Sequence, residues 1–168
     1  MEIVDLGPLS DAERAELEGD ERDPFDAAGV KLRYRPKDHH VALRCGGRLV
    51  ASAGLTETEV EVAGRRFAVV GIGGVIVNVE HRGRGLARRV VEEALSRAAA
   101  TGRPFVILFC HPNRAGLYEL LAFATITSPV WVKQADGYEP MTQRTMWRAL
   151  HTDTAWPRGD VTVHDLPF

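Results

Sequence analysis

Val75-Ile-Val-Asn-Val-Glu-His-Arg-Gly-Arg-Gly-Leu-Ala-Arg-Arg-Val-Val-Glu-Glu-Ala-Leu95 carries an apolar strand through a glycine-arginine turn straight into an amphipathic helix. Glycine at positions 83 and 85 lets the backbone turn sharply and approach a ligand closely. Amides converging there, at the positive end of a helix dipole, form a cradle for an anion such as a phosphate. Arg82, Arg84, Arg88 and Arg89 add formal positive charge. From Leu86 the apolar residues fall at 86, 90, 94 and 98, flanked by 87, 91 and 95. Arg88, Arg89, Glu92, Glu93 and Arg97 take the other side. This period predicts a helix of about four to five turns with one buried face.

Upstream, Ser10 followed by Glu13 is a capping-box pattern for a short helix that Gly19 would end, preceded by an apolar strand at Ile3 to Leu6. Residues 20 to 38 are polar, broken by Pro24, Gly29 and Pro36, and predict a loop. Val41 to Cys45, a Gly46-Gly47 turn and Arg48 to Leu55 read as a hairpin. A second hairpin is expected from the alternating run Thr56 to Val62, the turn Ala63-Gly64-Arg65 and the strand from Phe67. Gly71, Gly73 and Gly74 inside that last strand signal a bulge or a close backbone approach. They are not a dinucleotide fingerprint, which would need glycine at 76. Downstream, Pro104 to Cys110 reads as a fully buried, central, parallel strand, and Leu117 to Phe123 as a short helix. Strands are expected over 125 to 133 and 141 to 150, with a polar loop at 134 to 140 and a loop-rich tail over 152–168.

With 168 residues and 45% apolar content, residues 1–168 are expected to form one domain that buries a core without disulfides. Cys45 and Cys110 have neither zinc-site nor disulfide spacing, and no metal is expected. The N-terminus lacks the basic and apolar regions of a signal peptide, and no run approaches membrane-spanning length. A cytoplasmic protein without a membrane partner is the expectation. A net charge of −2 argues against nucleic acid as partner. Ten acidic residues between Glu2 and Asp26 stand against Arg14 and Arg22 alone, whereas the glycine-arginine turn is basic. The acidic segment reads as a solvated helix and loop, or as one side of a cation site.

Arg82-Gly-Arg-Gly-Leu-Ala87 resembles the Arg/Gln-x-x-Gly-x-Gly/Ala signature of the GNAT superfamily of acyl-CoA N-acyltransferases, and the strand Val75-Ile76-Val77 precedes it as in many members. The order of elements fits that family's α/β fold (an α+β mixed sheet): a single GNAT-like domain, mostly antiparallel with a parallel central pair, and helices on both faces. The resemblance implies acetyl-CoA as cosubstrate. Amides of Arg82, Gly83, Arg84, Gly85, Leu86 and Ala87 would hold its pyrophosphate, and the backbone of Val75, Ile76 and Val77 would pair with its pantetheine arm. Leu117-Tyr-Glu-Leu-Leu-Ala-Phe123 resembles the family's Leu-Tyr-x-x-x-Gly-Phe helix, which implies Tyr118 as the acid that protonates the leaving thiolate. Ala122 here replaces the usual glycine. Val70-Gly71 and the tail stretch Trp156-Pro-Arg-Gly-Asp160-Val161 look most like the aminoglycoside 2'-N-acetyltransferases within the superfamily.

The implied reaction is transfer of an acetyl group to a primary amine of a small acceptor by direct attack in a ternary complex. The acidic N-terminal segment, Asp136 and Glu139 point toward a cationic acceptor. Glu57 and Glu59, on one face of a strand by period-two alternation, are candidate bases, although such a row is also what a solvent face looks like. His111 and Cys110 are candidates as a base and an acyl acceptor. The alternative is a CoA-binding regulatory domain without turnover. The family also associates into homodimers through C-terminal strands.

Overall fold

The computed structural model describes residues 1–151 and 154–168; Thr152 and Asp153, at the start of the expected tail, lie outside the described residues. Strand β1 (Glu2–Leu6) leads into helix α1 (Asp11–Glu18). The capping box is formed in full: the Ser10 side chain accepts from the Glu13 amide, and the Glu13 carboxylate accepts from the Ser10 amide at 2.8 Å. Gly19, at φ +57°, ends the helix. After the irregular segment come β2 (His39–Cys45), β3 (Arg48–Val62) and β4 (Arg65–Val77). The expected pair of hairpins shares one 15-residue strand, because Thr56 to Val62 continues β3 without a turn. Helix α2 (Leu86–Ala100), β5 (Phe105–Cys110), α3 (Ala115–Glu119), β6 (Ala124–Thr125), β7 (Val130–Gln134), β8 (Gly137–Pro140), β9 (Arg144–Ala149) and β10 (Val161–Val163) complete the chain.

The described strands form a ten-stranded sheet, ordered β6-β9-β5-β4-β3-β10-β7-β8, with β2 beside the first half of β3 and β1 outside β2. Pairing is antiparallel except between β4 and β5 and between β7 and β10. Strand alternation separates the faces. Val41, Leu43, Val106 and Leu108 bury against Val90, Val91, Ala94 and Leu95 of α2, whereas Ala42 and Ile76 turn the other way, against Leu17 of α1. The two longer helices therefore lie on opposite faces. A further cluster packs Phe105, Ile107 and Trp147 against Trp156, Val161 and Phe168.

Two sequence expectations change. The polar stretch 134 to 140 is not a loop: Trp131 to Gln134 pairs with Gly137 to Pro140 as a hairpin. All four residues of β8 are exposed at the sheet's edge, so no buried face imposes the alternation that would have marked a strand. The tail contributes β10, which fills the space between β3 and β7. Among the described residues no helix is long and apolar enough to cross a membrane.

Candidate active site

β4 and β5 run parallel but pair only from Val70, Gly71 and Ile72 to Val106, Ile107 and Leu108. Beyond that point β4 continues to Val77 and β5 to Cys110 without joining. On its other side β4 stays on β3, with an extra residue between the Gly54–Gly73 and Ser52–Ile76 pairs. Gly74, at φ +59°, takes the left-handed turn this bulge requires. The bulge swings the end of β4 away from β5 and leaves its outer backbone edge unpaired along a cleft of about 730 Å³. Gly73 to Val77 line one wall, and Phe109, Cys110 and His111 another.

At the mouth stands the glycine-arginine turn. Gly83 and Gly85 both sit at φ +73°. The Arg89 amide is the first to bond back into the helix, to the Gly85 carbonyl at 3.1 Å, and no side chain caps α2. The amides of Leu86, Ala87 and Arg88 are therefore open donors at the helix N-terminus. Among the described residues no turn or loop hydrogen bond uses the amides of Gly83, Arg84 or Gly85. Arg82, Gly83, Gly85, Leu86 and Ala87 line the cleft; Arg84 does not, its guanidinium donating to the Glu80 carbonyl at 3.4 Å. Arg82 is held in place on two sides, its Nε donating to the Val77 carbonyl (3.1 Å) and its guanidinium pairing with the Glu21 carboxylate. One part of the acidic segment thus anchors the turn.

Tyr118, on α3, lines the cleft beside Cys110 and is 7% exposed. Burial pushes its phenol well above the ordinary tyrosine value, so it stays protonated through the physiological range. Burial also raises the Cys110 thiol, whose Sγ lies 3.8 Å from Met146 Sδ; this is the environment of an inert thiol, not of an acyl acceptor. His111 Nε2 donates to the Asp26 carbonyl at 3.0 Å, which commits that nitrogen to holding the loop.

Glu57 and Glu59 are not brought to the site. Their register partners on β4 are Val70 and Ala68, on the hairpin side of the point where β4 leaves β5. Both carboxylates face outward, Glu57 to Arg103 (2.7 Å) and Glu59 to Arg66 (3.2 Å). The strand-face pattern was that of a solvent face. No Asp or Glu side chain is among the residues that line the cleft.

The irregular segment supplies what the sequence did not reveal: Pro24, Phe25, Leu32, Tyr34 and Lys37 all line the cleft. Asp23 accepts from the amides of Ala27 (2.7 Å) and Ala28 (2.9 Å), and Asp38 accepts from Thr56 Oγ1. Tyr34 donates to Gln143 Oε1 at 2.7 Å. The Asp23 contacts are local, but the Tyr34–Gln143 bond joins residues far apart in sequence, and no local pattern announces it. The glycines of β3 and β4 were the available signal. A Cβ on Gly54 would lie 2.4 Å from Lys37 Cγ, and one on Gly71 would lie 2.3 Å from the Phe168 ring.

A sequence-family model described as an acetyltransferase (GNAT) domain matches residues 18–125. No curated protein matches the chain. Among solved structures, a GNAT family N-acetyltransferase (YhbS) from Escherichia coli in complex with CoA is 17% identical. It superimposes with a TM-score of 0.63 over 96% of this chain and 89% of its own. A GNAT family acetyltransferase from Brucella melitensis in complex with acetyl-CoA is 14% identical, with a TM-score of 0.57 over 97% of this chain and 96% of its own. A GCN5-related N-acetyltransferase from Kribbella flavida is 29% identical over 51% of this chain, which spans only 21% of that protein (TM-score 0.48). The family match covers the strand, the glycine-arginine turn, α2 and Tyr118, and the whole-chain superpositions share the fold. The chain belongs to the GNAT superfamily of acetyltransferases.

Proposed function

We propose that this chain, as a single acyltransferase domain, moves an acetyl group from acetyl-CoA to an amine seated in the same cleft, by direct attack within a ternary complex. The observation that carries the reading is the opening between β4 and β5, with unpaired backbone along Gly73 to Val77 and open amides at the mouth. An extended, amide-bearing arm fits the unpaired edge as an added strand, and a pyrophosphate fits the donors of residues 83 to 88. Family relatives crystallised with CoA and with acetyl-CoA support the same cosubstrate.

Acetyl-CoA supplies the acetyl group as a thioester, whose carbonyl carbon gains the bond to nitrogen as the bond to sulfur breaks. The backbone at the Gly74 bulge is placed to hold that carbonyl, as fixed amide donors can. Tyr118 gives its phenolic proton to the departing sulfur and is reprotonated from solvent, while the amine releases its own proton to water. Phe25, Phe109 and Phe168 give the cleft apolar walls.

Release of CoA thiol in the presence of acetyl-CoA and a panel of amines tests the reading. Tyr118→Phe is expected to lower kcat by about 100-fold or more, the contribution of a positioned acid, with CoA affinity within about threefold of the parent. An unchanged kcat in that variant would remove Tyr118 from the reaction.

A further inference from the structure

As the new bond to nitrogen forms, the attacking amine must lose a proton, and no carboxylate side chain lines the cleft to take it. Burial pushes Tyr34 up to about 12 and raises Tyr118 and Cys110, so all three keep their protons at neutral pH. The guanidiniums of Arg82, Arg88 and Arg114 stay charged and pair with Glu21, Glu92 and Asp26. Lys37 is wedged into the wall. A Cβ on Gly54 would meet its Cγ at 2.4 Å, and one on Gly73 would meet both its Cε, at 3.0 Å, and the Phe168 carbonyl carbon, at 2.7 Å. Among the described residues lining the cleft, His111 is the ionisable side chain that remains.

His111 directly follows β5. Counting on from the last β4–β5 pair, Ile72 with Leu108, brings it level with Val75, one residue past the Gly74 bulge and across the opening from it. The irregular segment holds the ring: Nε2 lies 3.0 Å from the Asp26 carbonyl, with the Gln143 amide at the longer distance of 3.3 Å. A carbonyl only accepts, so Nε2 carries the ring proton and the lone pair stands on Nδ1. Nδ1 has no hydrogen-bond partner among the described residues and is not one of their buried, unpartnered polar atoms, so it is open to water. The Asp26 carbonyl is fixed in turn by its own loop, where Asp23 accepts from the amides of Ala27 and Ala28. A base whose far nitrogen is tied to an orienting acceptor is the arrangement that prepares an imidazole for proton transfer. Asp23 and Asp26 favour the protonated ring, whereas Arg114, 3.5 Å from Asp26, opposes it; Tyr34, Cys110 and Tyr118 around it are neutral. Resting on the acyl-transfer reading above, we propose that His111 is the general base of the reaction. Its Nδ1 takes, through a water, the proton that the amine gives up, and returns it to solvent, while Tyr118 protonates the sulfur.

The test follows thiol release against pH at saturating acetyl-CoA, with two amines from the panel that differ in basicity. His111→Gln is the decisive variant, because its side-chain amide can still donate to the Asp26 carbonyl but offers no basic nitrogen. The parent is expected to show an acid limb in kcat at the same position for both amines, so that the limb belongs to the protein and not to the acceptor. In His111→Gln that limb disappears and kcat falls about 100-fold, with CoA affinity within about threefold of the parent and an unchanged melting temperature. In Lys37→Met the limb stays. Added imidazole restores part of the rate to His111→Ala, and pyrazole, equal in size but far less basic, does not. A kcat in His111→Gln within about threefold of the parent, the same limb in that variant, a limb lost in Lys37→Met instead, or loss of CoA binding in His111→Gln with no imidazole rescue of His111→Ala would overturn the assignment. A parent that binds no CoA, or binds it and acetylates no amine, would instead overturn the acyl-transfer reading, and this assignment with it.

Discussion

At the scale of single residues, burial of the Lys37 ammonium sets a pH-dependent cost on folding. Burial, with repulsion from Arg14, lowers its pKa from 10.5 to about 8. The folded chain therefore holds this proton less tightly than the unfolded chain does. Below pH 8 folding carries the full penalty, and the penalty is lifted as the pH rises from 8 toward 10.5. Lys37→Met, which keeps an unbranched apolar stem, should be more stable than the parent at pH 7 by about 1–3 kcal/mol. Its advantage should shrink as the pH approaches 10.5. Urea unfolding at several pH values checks this. A gain independent of pH, or no gain, would mean the ammonium is satisfied in the folded chain. His40 lies close enough to feel Lys37, and its own ring is lowered by burial, so it stays neutral at pH 7 and does not reverse the trend.

Among the elements, α3 and β4 show where a local rule gives way. Ala122 adopts φ +61° after α3, the left-handed position that a glycine usually takes. The Phe123 amide returns to the Tyr118 carbonyl at 3.0 Å and the Tyr118 and Phe123 rings stack edge to face, so packing holds the turn despite the Cβ. Ala122→Gly should relieve strain and raise stability by about 0.5–1 kcal/mol, part of the relief being offset by the freer unfolded chain. Thermal unfolding reads the difference, and a loss of stability would place the strain elsewhere. Gly71 is the opposite case: its φ is ordinary, but the Phe168 ring occupies the space of a side chain. Gly71→Ala should cost about 1–3 kcal/mol through overpacking, seen as a lower urea midpoint with an unchanged slope. Elements with strong periodicity were legible before the structure. Helix α2, the capping box of α1, the β2–β3 turn and buried β5 needed only local patterns. Strand β8 was not, because an exposed edge imposes no alternation, and β10 was not, because three residues in a polar tail carry too little pattern.

For the molecule as a whole, the site is built by a sheet that opens, and most of what fills the opening comes from outside the recognisable motif. The glycine-arginine turn and the helix of Tyr118 were readable as local structure because each belongs to a short stretch with its own sequence pattern, and both line the cleft. Lys37, Tyr34, Gln143 and Phe168 were not, since they reach the cleft through contacts with residues distant in sequence, such as Lys37 on Gly54, Phe168 on Gly71 and Tyr34 to Gln143. The acidic N-terminal segment likewise had two readings. The structure gives it a structural part, with Glu21 on Arg82, and leaves the cleft without carboxylate side chains. The unpaired edge of β4 and the amides before α2 are the proposed seat of the CoA thioester. Amide hydrogen exchange, with and without CoA, tests this most directly. Strong new protection is expected at residues 74 to 77 and 83 to 88, with little change in β7, β8 and β10. CoA-induced protection confined to another surface, with these two segments exchanging as before, would contradict it.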